Sequence, residues 1–588
     1  MKRRLGRAPE VELLESPSGV FRADERASAA TAIVRTLYTA GIDTFFGLPG
    51  GPIIPFFDAI LSDPRVMLVE PRQESCGVFE AMGFQRATGR VPAIVVTAGP
   101  GATNVLTGVV AAHLERVPMI VFCGDVPWAA TGMKLAQHTG GDGIGVERIF
   151  AGVARAVVRV ARGESASGQV QRAIDAATDP ENPGPAFVVL SVDNAGAPVV
   201  APFLHAPPRA VEPRAPSLPV LATVSRHLAR AERPLFIVGA GCRGHERALL
   251  RMVEATQVPF VTTPMAKGLL PETHPLSLRA CGLGASWWAR RYMRAGCDAT
   301  LALATDLDDS TLAGTPPLAA GGFLAHVDLD PSVFGRNHPT AMGVVADVGA
   351  FASSLAAFGG TPSRRGPLLA AEAHAASPFD VPEFATDDAQ VIAPHRVIAD
   401  LERASRPDDV FVTDIGEHML FALHYLTADR PDRFVVHLGL GSMGSGIGSA
   451  IGLALGDRAR RTICVCGDGG MQMAGMELLV ARKHGLRVVL AVFNDARYNM
   501  VFHGYRHTFG REAAWDTPRV DFAAWASAIG VASATIERPG QITAELLDRL
   551  TADGPAVLDI RQDANVRIRG DGRIEAIAQM SMMHARQP

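Results

Sequence analysis

The chain has 588 residues, and its 56 basic residues include only four lysines, so that 52 are arginines. A Schiff-base enzyme needs a buried, deprotonated lysine. The only positions that could supply one are Lys2, Lys134, Lys267 and Lys483. A net charge of -4 with 60 acidic residues is close to balanced, so no nucleic-acid partner is expected. No window holds 18 consecutive apolar residues, so no membrane span is expected either.

The seven cysteines form no C-x-x-C pair, and hydrophobic residues make up 48% of the chain, as in ordinary globular proteins. We therefore expect buried thiols in a reducing, cytoplasmic compartment, with a metal or redox role as the alternative. Cys464 and Cys466 alternate on a predicted strand, which directs them to the same face of a sheet.

Short apolar runs alternate with helical patterns along three stretches of the chain. This alternation predicts an α/β fold with three doubly wound, parallel-sheet domains. The predicted boundaries are a disordered leader at 1–25, an N-terminal domain at 26–200, a central domain at 218–358, a C-terminal domain at 390–565 and a tail at 566–588. Six prolines within 198–217 predict a linker, and a second loose stretch is predicted over 359–382. The predicted strands are 42–46, 66–69, 93–96, 119–123, 186–192, 235–239, 260–262, 299–304, 323–327, 410–413, 462–466, 488–493 and 556–560.

The most informative stretch is 461–500, where a strand, a glycine-rich turn, a predicted helix at 471–484 and a second strand follow one another. In a right-handed βαβ unit both strands end at the same edge of the sheet, so Asp468 and Asp495 should lie side by side. Two carboxylates suit a hard divalent cation such as Mg²⁺. Gly467 and Gly469 permit close approach of an anion to the helix N-terminus. A metal-bridged diphosphate fits this arrangement, and the alternative is a glycine turn with an Asp helix cap.

The order Gly467-Asp468-Gly469, helix, strand and Asn494-Asp495 resembles the signature of thiamine-diphosphate-dependent enzymes. The resemblance implies a metal site formed by Asp468, Asp495 and the main-chain carbonyl of Arg497. The family usually has Asn where this chain has Asp495. The additional negative charge should tighten Mg²⁺ binding and repel the diphosphate.

Other segments extend this resemblance over about 530 residues, in the order and spacing of the acetolactate synthase and pyruvate decarboxylase-like members. These segments are Gly47-Leu48-Pro49-Gly50, Arg72-Gln73-Glu74-Ser75, 83–89, 97–104 and 439–444. The resemblance implies thiamine diphosphate and Mg²⁺ as cofactors. The implied cofactor-binding residues are Gly50, Glu74, Thr97, Gly99, Asn104, Gly441, Ser442, Met443, Gly467, Asp468, Gly469, Gly470, Asp495, Tyr498, Asn499 and Met500.

The resemblance also implies roles for individual side chains. Glu74 would hydrogen-bond the aminopyrimidine ring, promoting the imino form that removes the C2 proton, and partial burial would favour its protonated form. Met443 would bend the cofactor so that its two rings meet. Gln137 and His138 are further catalytic candidates, with His138 as a proton donor or a structural histidine. His503 and His507 are weaker candidates.

In this family the glutamate and the diphosphate site face each other across a subunit interface, which implies a homodimer or a homotetramer. The substrates implied are a 2-oxo acid such as pyruvate and an acceptor carbonyl compound. The expected reaction is carboligation, and the alternatives are a non-ligating decarboxylase and a degenerate, non-catalytic cofactor-binding subunit.

Two positions depart from acetolactate synthases near the acceptor. Asp306 stands where those enzymes commonly have an arginine that pairs with the acceptor carboxylate, and Arg155 replaces a lysine. A carboxylate at position 306 would repel a second 2-oxo acid, so we expect a changed acceptor. The turn at 239–244 could hold a nucleotide, which makes FAD an alternative rather than the expectation.

Overall fold

A computed structural model describes residues 26–141, 143–200, 212–313, 315–316 and 318–569 of the chain. The predicted leader and most of the predicted tail lie outside these residues. Within them, three six-stranded parallel sheets carry helices on both faces, which confirms the predicted fold class.

Strands β1 to β8 belong to the N-terminal domain and are Arg26–Ser28, Thr44–Gly47, Met67–Val69, Ala93–Val96, Met119–Asp125, Val157–Val160, Pro185–Ser191 and Pro198–Val200. Strands β9 to β14 of the central domain are Pro234–Val238, Phe260–Thr262, Ser277–Ala280, Ala299–Leu303, Phe323–Asp328 and Met342–Val345. Strands β15 to β20 of the C-terminal domain are Val410–Thr413, Phe434–Val436, Thr462–Gly467, Val488–Phe493, Ala532–Ile536 and Ala556–Ile560.

Helices α1 to α8 of the N-terminal domain are Ala29–Thr39, Ile54–Ser62, Glu74–Thr88, Pro100–Asn104, Leu106–Leu114, Val146–Phe150, Ala166–Ala177 and Val192–Gly196. Helices α9 to α14 are Leu218–Arg230, Glu246–Thr256, Trp287–Arg294, Asp309–Leu312, Val348–Ala357 and Gly366–His374. Helices α15 to α22 are Pro394–Ala404, Glu417–Tyr425, Ser445–Gly456, Asp468–Ala474, Leu478–Lys483, Asn499–Phe509, Phe522–Ala528 and Ala544–Leu550. Short 3₁₀ helices lie at Gly51–Ile53, Trp128–Ala130, Gly163–Ser165, Ala240–Cys242, Pro264–Ala266, Pro331–Val333, Phe384–Thr386 and Gly475–Glu477.

The N-terminal and C-terminal sheets have one topology. Their strand orders are β3-β2-β4-β5-β7-β6 and β16-β15-β17-β18-β20-β19, which is the same pattern when each sheet is counted along the chain. The central sheet has the order β11-β10-β9-β12-β13-β14, with its switch point between β9 and β12. The antiparallel pair β1 and β8 closes the N-terminal domain, so the predicted linker begins with a short strand.

Helix α3 of the N-terminal domain packs directly against α17 of the C-terminal domain, and one hydrophobic core includes residues of both. A Cβ at Gly83 would lie 2.1 Å from the Ser449 carbonyl oxygen, and a Cβ at Gly452 would lie 1.8 Å from the Glu80 carbonyl oxygen. Glycine at these two positions therefore lets the two backbones touch.

Several predicted elements need correction. The helix predicted over 471–484 is divided into α18, a 3₁₀ turn and α19, and it begins at Asp468, inside the predicted turn. Seven short strands went unpredicted, namely β6, β11, β14, β16 and β19 of the six-stranded sheets and the antiparallel pair β1 and β8. The loose stretch at 359–382 contains α14, and the C-terminal core reaches Ile568, beyond the predicted boundary at 565. These elements are short or partly exposed, so their apolar pattern is weak.

All seven cysteines are free and buried, and Cys464 and Cys466 lie in one core cluster, as the alternation predicts. Among the described residues, no helix combines the length and apolar character that crossing a membrane requires.

Candidate active site

The first group of candidate residues lies at the carboxyl edge of the C-terminal sheet. Strands β17 and β18 are parallel neighbours, with Gly467 opposite Phe493, so the residues that follow them emerge together. Asp468 begins α18, and its two carboxylate oxygens accept hydrogen bonds from the N–H groups of Gly469 and Ala496, both at 2.7 Å. The second bond joins the two strand ends and thereby places Asp468 beside Asp495.

Asp495 lies in an environment that disfavours a negative charge. Burial, together with the charges of Asp468 and Glu417, raises the pKa of Asp495 to about 7. Burial also raises the pKa of Asp468, whose side chain is 7% exposed. Among the described residues, the carboxylate oxygens of Asp495 accept hydrogen bonds only from the Arg497 N–H and the Gln562 amide, both at 3.2 Å. Among the described residues, no lysine or arginine forms an ion pair with either aspartate.

Two close carboxylates without a protein cation fit a divalent metal ion, which would neutralise both charges. No group of three or more His, Cys, Asp or Glu side chains that could hold a metal occurs in the described ranges. A metal here therefore needs a further ligand, such as a main-chain carbonyl. Ala496 adopts a left-handed φ of 57°, which turns the chain at the position before Arg497.

Gly469 lies between two side chains that the sequence assigned to the cofactor. A Cβ at Gly469 would lie 2.8 Å from Met443 Cε and 3.0 Å from Tyr498 Cε1. Met443 is half-buried, and Tyr498 is 41% exposed. The structure thus brings together Met443, Gly469 and Tyr498, three residues that are distant in sequence.

Asp414, which follows β15, was missed by the sequence reasoning. Its carboxylate accepts hydrogen bonds from the N–H groups of Gly444 at 2.9 Å and Gly446 at 3.0 Å. Burial raises its pKa to about 6. A Cβ at Gly470 would lie 2.1 Å from its Oδ2, so Gly470 must be a glycine. An Asp that directly follows an apolar strand is the only signal that could have revealed it.

The segment that carries Met443 is held by Asp414. Gly441 has a φ of 71° and is exposed, and Gly444 has a φ of 88° and precedes α17. The half-buried Ser442 accepts the Ser445 N–H through its carbonyl. Gly467 precedes α18 as its N-cap residue. These backbone groups surround the start of α17 and α18, where main-chain N–H groups attract an anion.

The residues after Asp495 have mostly structural contacts. The Arg497 guanidinium donates to Asn499 Oδ1 at 2.9 Å and to the Ala564 carbonyl at 2.5 Å. The Asn499 amide donates to the same carbonyl at 3.0 Å. Met500 is half-buried against the C-terminal core. The predicted cofactor contacts of Asn499 and Met500 therefore remain predictions.

His503 lies on α20 and forms a buried pair with Glu417, in which Nδ1 is 2.6 Å from Glu417 Oε1. Glu417 begins α16 and acts electrostatically on Asp495. His507, the other candidate on α20, is exposed.

The second group lies at the carboxyl edge of the N-terminal sheet. Glu74 is the first residue of α3, is half-buried, and accepts a hydrogen bond from the Asn104 amide at 3.1 Å. The Ser75 hydroxyl donates to the Asn104 carbonyl, which ties the two loops together. A Cβ at Gly50 would lie 2.2 Å from Thr97 Oγ1, and that buried hydroxyl has no hydrogen-bond partner among the described residues.

Thr139 connects the loop of Gly99 to the loop of Gln137 and His138. It is fully buried, accepts the Gly99 N–H at 3.1 Å, and donates its own N–H to Asp125 at 3.0 Å. Gln137 has a φ of 57° and lies against Gly99, whereas the half-buried His138 lies against Gly143. The sequence reasoning passed over Thr139, because a single threonine in a loop carries no distinctive pattern.

Within the described part of the chain, no hydrogen bond joins the Glu74 group to the Asp468 group. Each group is assembled inside its own domain, at equivalent edges of two sheets with the same topology. One copy of the chain therefore presents two half-sites.

A cavity of about 580 Å³ lies at the switch point of the central sheet, and residues of all three domains line it. Its wall includes Asp306, which is exposed, together with Asp308, Asp328 and Arg116. The Arg155 guanidinium donates to the carbonyl of Pro183, which also lines the cavity. The positions expected to mark the acceptor thus lie at or beside the wall of this cavity, which neither Asp468 nor Asp495 lines.

The glycine turn at 239–244 has a packing explanation. A Cβ at Gly239 would lie 2.0 Å from the carbonyl oxygen of Ala304, which follows the neighbouring strand β12. The turn therefore needs glycine whether or not a nucleotide binds, and FAD gains no support from it.

Three family models match the chain in order. They are the thiamine pyrophosphate enzyme N-terminal TPP binding domain at 27–146, the central domain at 221–355 and the C-terminal TPP binding domain at 414–560.

The chain is also similar to curated proteins over nearly its whole length. The Mycobacterium tuberculosis protein named "Putative acetolactate synthase large subunit IlvB2" is 30% identical over 549 residues, which cover 91% of this chain and 97% of that protein. The acetolactate synthase isozyme 3 large subunit of Escherichia coli is 27% identical over 94% of this chain and 98% of its own length. Acetolactate synthase 1 of Oryza sativa is 27% identical over 91% of this chain and 85% of its own length.

These matches agree with the two half-sites, and they confirm the family expected from the sequence motifs. The chain therefore belongs to the thiamine pyrophosphate enzymes and is an acetolactate-synthase-like transferase that depends on thiamine diphosphate.

Proposed function

We propose that this protein decarboxylates a 2-oxo acid such as pyruvate and transfers the resulting acyl group to an acceptor carbonyl compound. The observation that carries the proposal is the meeting of Met443, Gly469 and Tyr498 next to the uncompensated pair Asp468 and Asp495. The side chains of Met443 and Tyr498 would contact the aromatic rings of a cofactor, and a metal ion at Asp468 and Asp495 would bind its diphosphate.

We propose that Mg²⁺ is held by Asp468, Asp495 and the main-chain carbonyl of Arg497. The N–H groups at the start of α17 and α18 would then face the diphosphate. Bound thiamine diphosphate would supply a nucleophilic carbon that adds to the 2-oxo group.

The N-terminal half-site would supply the groups that donate hydrogen bonds and protons to the cofactor and the substrate. Glu74 would donate a hydrogen bond to the aminopyrimidine ring, and Asn104 would hold the Glu74 carboxyl in place through its amide. The partnerless Thr97 hydroxyl and the adjacent Gly50 would contact the pyrimidine side of the cofactor. Gln137 and His138, fixed by Thr139, would lie nearest the substrate, with His138 as a proton donor.

A complete site needs both half-sites, and within the described residues of one chain no hydrogen bond joins them. We therefore propose a homodimer, or a tetramer built from dimers, in which Glu74 of one copy faces Asp468 of the other. In such an assembly each chain contributes to two sites, so that the single chain would be inactive.

The acceptor is the less constrained substrate. Asp306 lies on a cavity wall that carries arginines such as Arg116 as well as Asp308 and Asp328, so it is the local charge at position 306 that disfavours a second carboxylate. An uncharged aldehyde is the acceptor that a carboxylate at position 306 favours. The same observation supports decarboxylation without ligation as the second candidate function.

The test is incubation of the protein with thiamine diphosphate, Mg²⁺ and a panel of 2-oxo acids, with and without aldehydes, followed by mass spectrometry of the products. Carboligation predicts a product that contains both the acyl group and the acceptor. Carbon dioxide with a free aldehyde as the only products would instead establish the decarboxylase. Binding of the cofactor without turnover of any 2-oxo acid would support a non-catalytic subunit.

A further inference from the structure

A second carboxyl pair, separate from Asp468 and Asp495, is buried at the contact between the N-terminal and C-terminal domains. Glu80 on α3 is 0% exposed, and Glu477 at the end of a 3₁₀ turn is 1% exposed. The two carboxyl groups are close neighbours in this contact. Two buried carboxyl groups this close can hydrogen-bond each other only if one of them carries a proton.

The surroundings decide which group holds that proton. Among the described residues, no N–H or O–H donor of another residue reaches either oxygen of Glu80. Glu477 instead accepts the main-chain N–H of Arg72 with both oxygens, at 2.8 and 3.1 Å, across 405 residues of sequence. The donor at Glu477 stabilises a carboxylate there, so the proton belongs on Glu80.

The other titratable and charged groups that face the pair are few. The charge of the Arg72 guanidinium favours ionised carboxylates in the pair, the Cys76 thiol lies close to Glu477, and Asp414 acts electrostatically on Cys76. Burial and the neighbouring Glu477 raise the pKa of Glu80 well above its usual range, and burial likewise raises that of Glu477. The facing helix α17 contributes Gly448 and Gly452, which carry no side-chain donor.

The pair is also connected to the proposed proton-handling residue. Arg72 is followed by Gln73, which caps α3 by accepting the Cys76 N–H at 2.9 Å, and Glu74 is the first residue of that helix. On the other side, Glu477 ends the 3₁₀ turn that continues directly from α18, which begins at Asp468. The contact of Glu477 with Arg72 therefore fixes the start of α3 against the C-terminal domain.

We propose that Glu80 and Glu477 share one proton at this domain contact, and that the shared proton makes Glu80 a positioning residue for Glu74. The inference rests on the proposed function, because Glu74 has a position to keep only if it acts on the aminopyrimidine ring. Loss of the proton would leave two adjacent buried carboxylates, and their repulsion would move Glu477 away from Arg72.

The first test measures the proton itself and needs no cofactor. The folded protein binds the extra proton and the unfolded chain does not, so the pair makes the wild type less stable as pH rises above the usual range of a glutamate. Glu80→Gln supplies a permanent donor that does not titrate. We measure the Tm of Glu80→Gln and of the wild type at each pH. The difference, variant minus wild type, should increase between pH 6 and pH 9. A difference that stays constant over this range would overturn the shared proton.

The matched control for this test is Glu70→Gln. Glu70 lies two residues before Arg72, is 32% exposed and pairs with Lys483 at the surface. The same chemical change there should shift the Tm by a constant amount at every pH. A pH-dependent difference in this control as well would show that the effect is not specific to Glu80, and would also count against the shared proton.

The second test measures Glu74 through hydrogen–deuterium exchange at C2 of bound thiamine diphosphate, with Mg²⁺ and without any 2-oxo acid. We expect Glu80→Met to slow the exchange at least tenfold while the cofactor Kd changes less than threefold. Glu80→Gln should keep the wild-type rate within threefold at pH 7 and retain it at high pH, where the wild type falls. If Glu80→Gln is as slow as Glu80→Met, or declines with pH as the wild type does, the positioning role is wrong.

The two tests separate this inference from the proposed function. A wild type that shows no C2 exchange with bound cofactor contradicts the proposed function. The pH dependence of the Tm difference decides the shared proton even in that case. If Glu80→Met does not fold, the comparison of Glu80→Gln with the wild type decides both the proton and the pH profile of exchange.

Discussion

The N-terminal and C-terminal sheets share one strand order, yet the ends of their fourth strands carry aspartates in opposite environments. Asp125 ends β5 and forms an ion pair with Arg159 at 2.8 Å, with a further hydrogen bond from the Thr139 N–H. Asp495 follows β18 and faces Asp468 and Glu417 without a protein cation. The same fold thus compensates one carboxylate internally and, among the described residues, provides no ion-pair partner for the other, which our proposed Mg²⁺ would neutralise.

The comparison extends to the rest of each edge. Around Glu74 the loops are joined by hydrogen bonds that the Asn104 amide, the Ser75 hydroxyl and the Gly99 N–H donate, the last of them to Thr139. Around Asp468 the backbone converges on buried carboxylates, including Asp414. A duplicated topology can therefore serve two chemical tasks, because the loops that follow the strands determine the charge at each edge.

The largest expected effect comes from removing the central carboxylate of the C-terminal edge. Asp468→Ala deletes both the metal ligand that we propose and the acceptor of the Ala496 N–H. We expect turnover to fall at least a thousandfold and cofactor binding to be lost, as measured by titration with thiamine diphosphate and Mg²⁺. Asp125→Ala, the equivalent change at the carboxyl edge of the N-terminal sheet, should reduce stability while cofactor binding persists. Equal loss of cofactor binding in both variants would contradict the difference in role between Asp125 and Asp468.

The next effect concerns Glu74. Glu74→Gln keeps the size of the side chain and its contact with Asn104, but removes the ionisable proton. We expect turnover to fall at least a hundredfold with little change in cofactor affinity, because the metal edge is intact. Steady-state kinetics and cofactor titration check this, and a variant with more than a tenth of wild-type activity would argue against the role of Glu74.

Mixing two inactive variants tests whether the half-sites meet across a subunit interface. When Glu74→Gln and Asp468→Ala chains are mixed equally and reassembled, half of the dimers contain one chain of each kind. In such a dimer one site combines both substitutions and the other site combines the intact Glu74 with the intact Asp468. We expect about a quarter of wild-type activity, measured after denaturation and refolding or after coexpression. Each variant refolded alone is the control, and no recovery in the mixture would contradict a shared site.

Gly469→Ala tests the contact between Met443 and Tyr498. The added methyl group must displace one of these side chains, whereas the helix itself gains stability from alanine. We expect cofactor affinity to decrease about tenfold while the Tm of the protein without cofactor changes by a few degrees at most. Gly168→Ala, inside α7 with nothing within 4 Å of the added Cβ, is the control for a helical glycine outside the site.

The smallest effect concerns the extra charge at position 495. Because burial and Asp468 raise the pKa of Asp495 to about 7, the folded protein holds a proton that the unfolded chain releases, and stability falls as pH rises from about 4 to about 7. Asp495→Asn should therefore stabilise the protein without metal at pH 8 by about 1–2 kcal/mol, discounted for partial exposure. Thermal unfolding at pH 5.5 and 8, with and without Mg²⁺, checks this. A larger stabilising effect of Mg²⁺ on the variant than on the wild type would contradict the metal role of Asp495.

Parts of the fold and of the candidate site could be predicted because their signals are local. The apolar runs of β17 and β18 and the glycines after them predicted that Asp468 and Asp495 meet, and the two strands are indeed parallel neighbours. The helix after Asp468 was predicted as one piece, because helical periodicity does not register the 3₁₀ turn at Gly475–Glu477. Short strands such as Phe434–Val436 were missed because three residues are too few to show an alternating or continuous apolar pattern.

The sequence by itself determined the domain order, the strands that end at each candidate edge, and the residue types that a diphosphate and a divalent metal require. Only the tertiary structure decided that Thr139 supports Gly99, that Asp414 holds the loop of Met443, and that Glu477 reaches Arg72 across 405 residues. These contacts join single residues far apart in the chain. Local periodicity and spacing describe neighbours along the chain, whereas burial and charge compensation depend on neighbours in space.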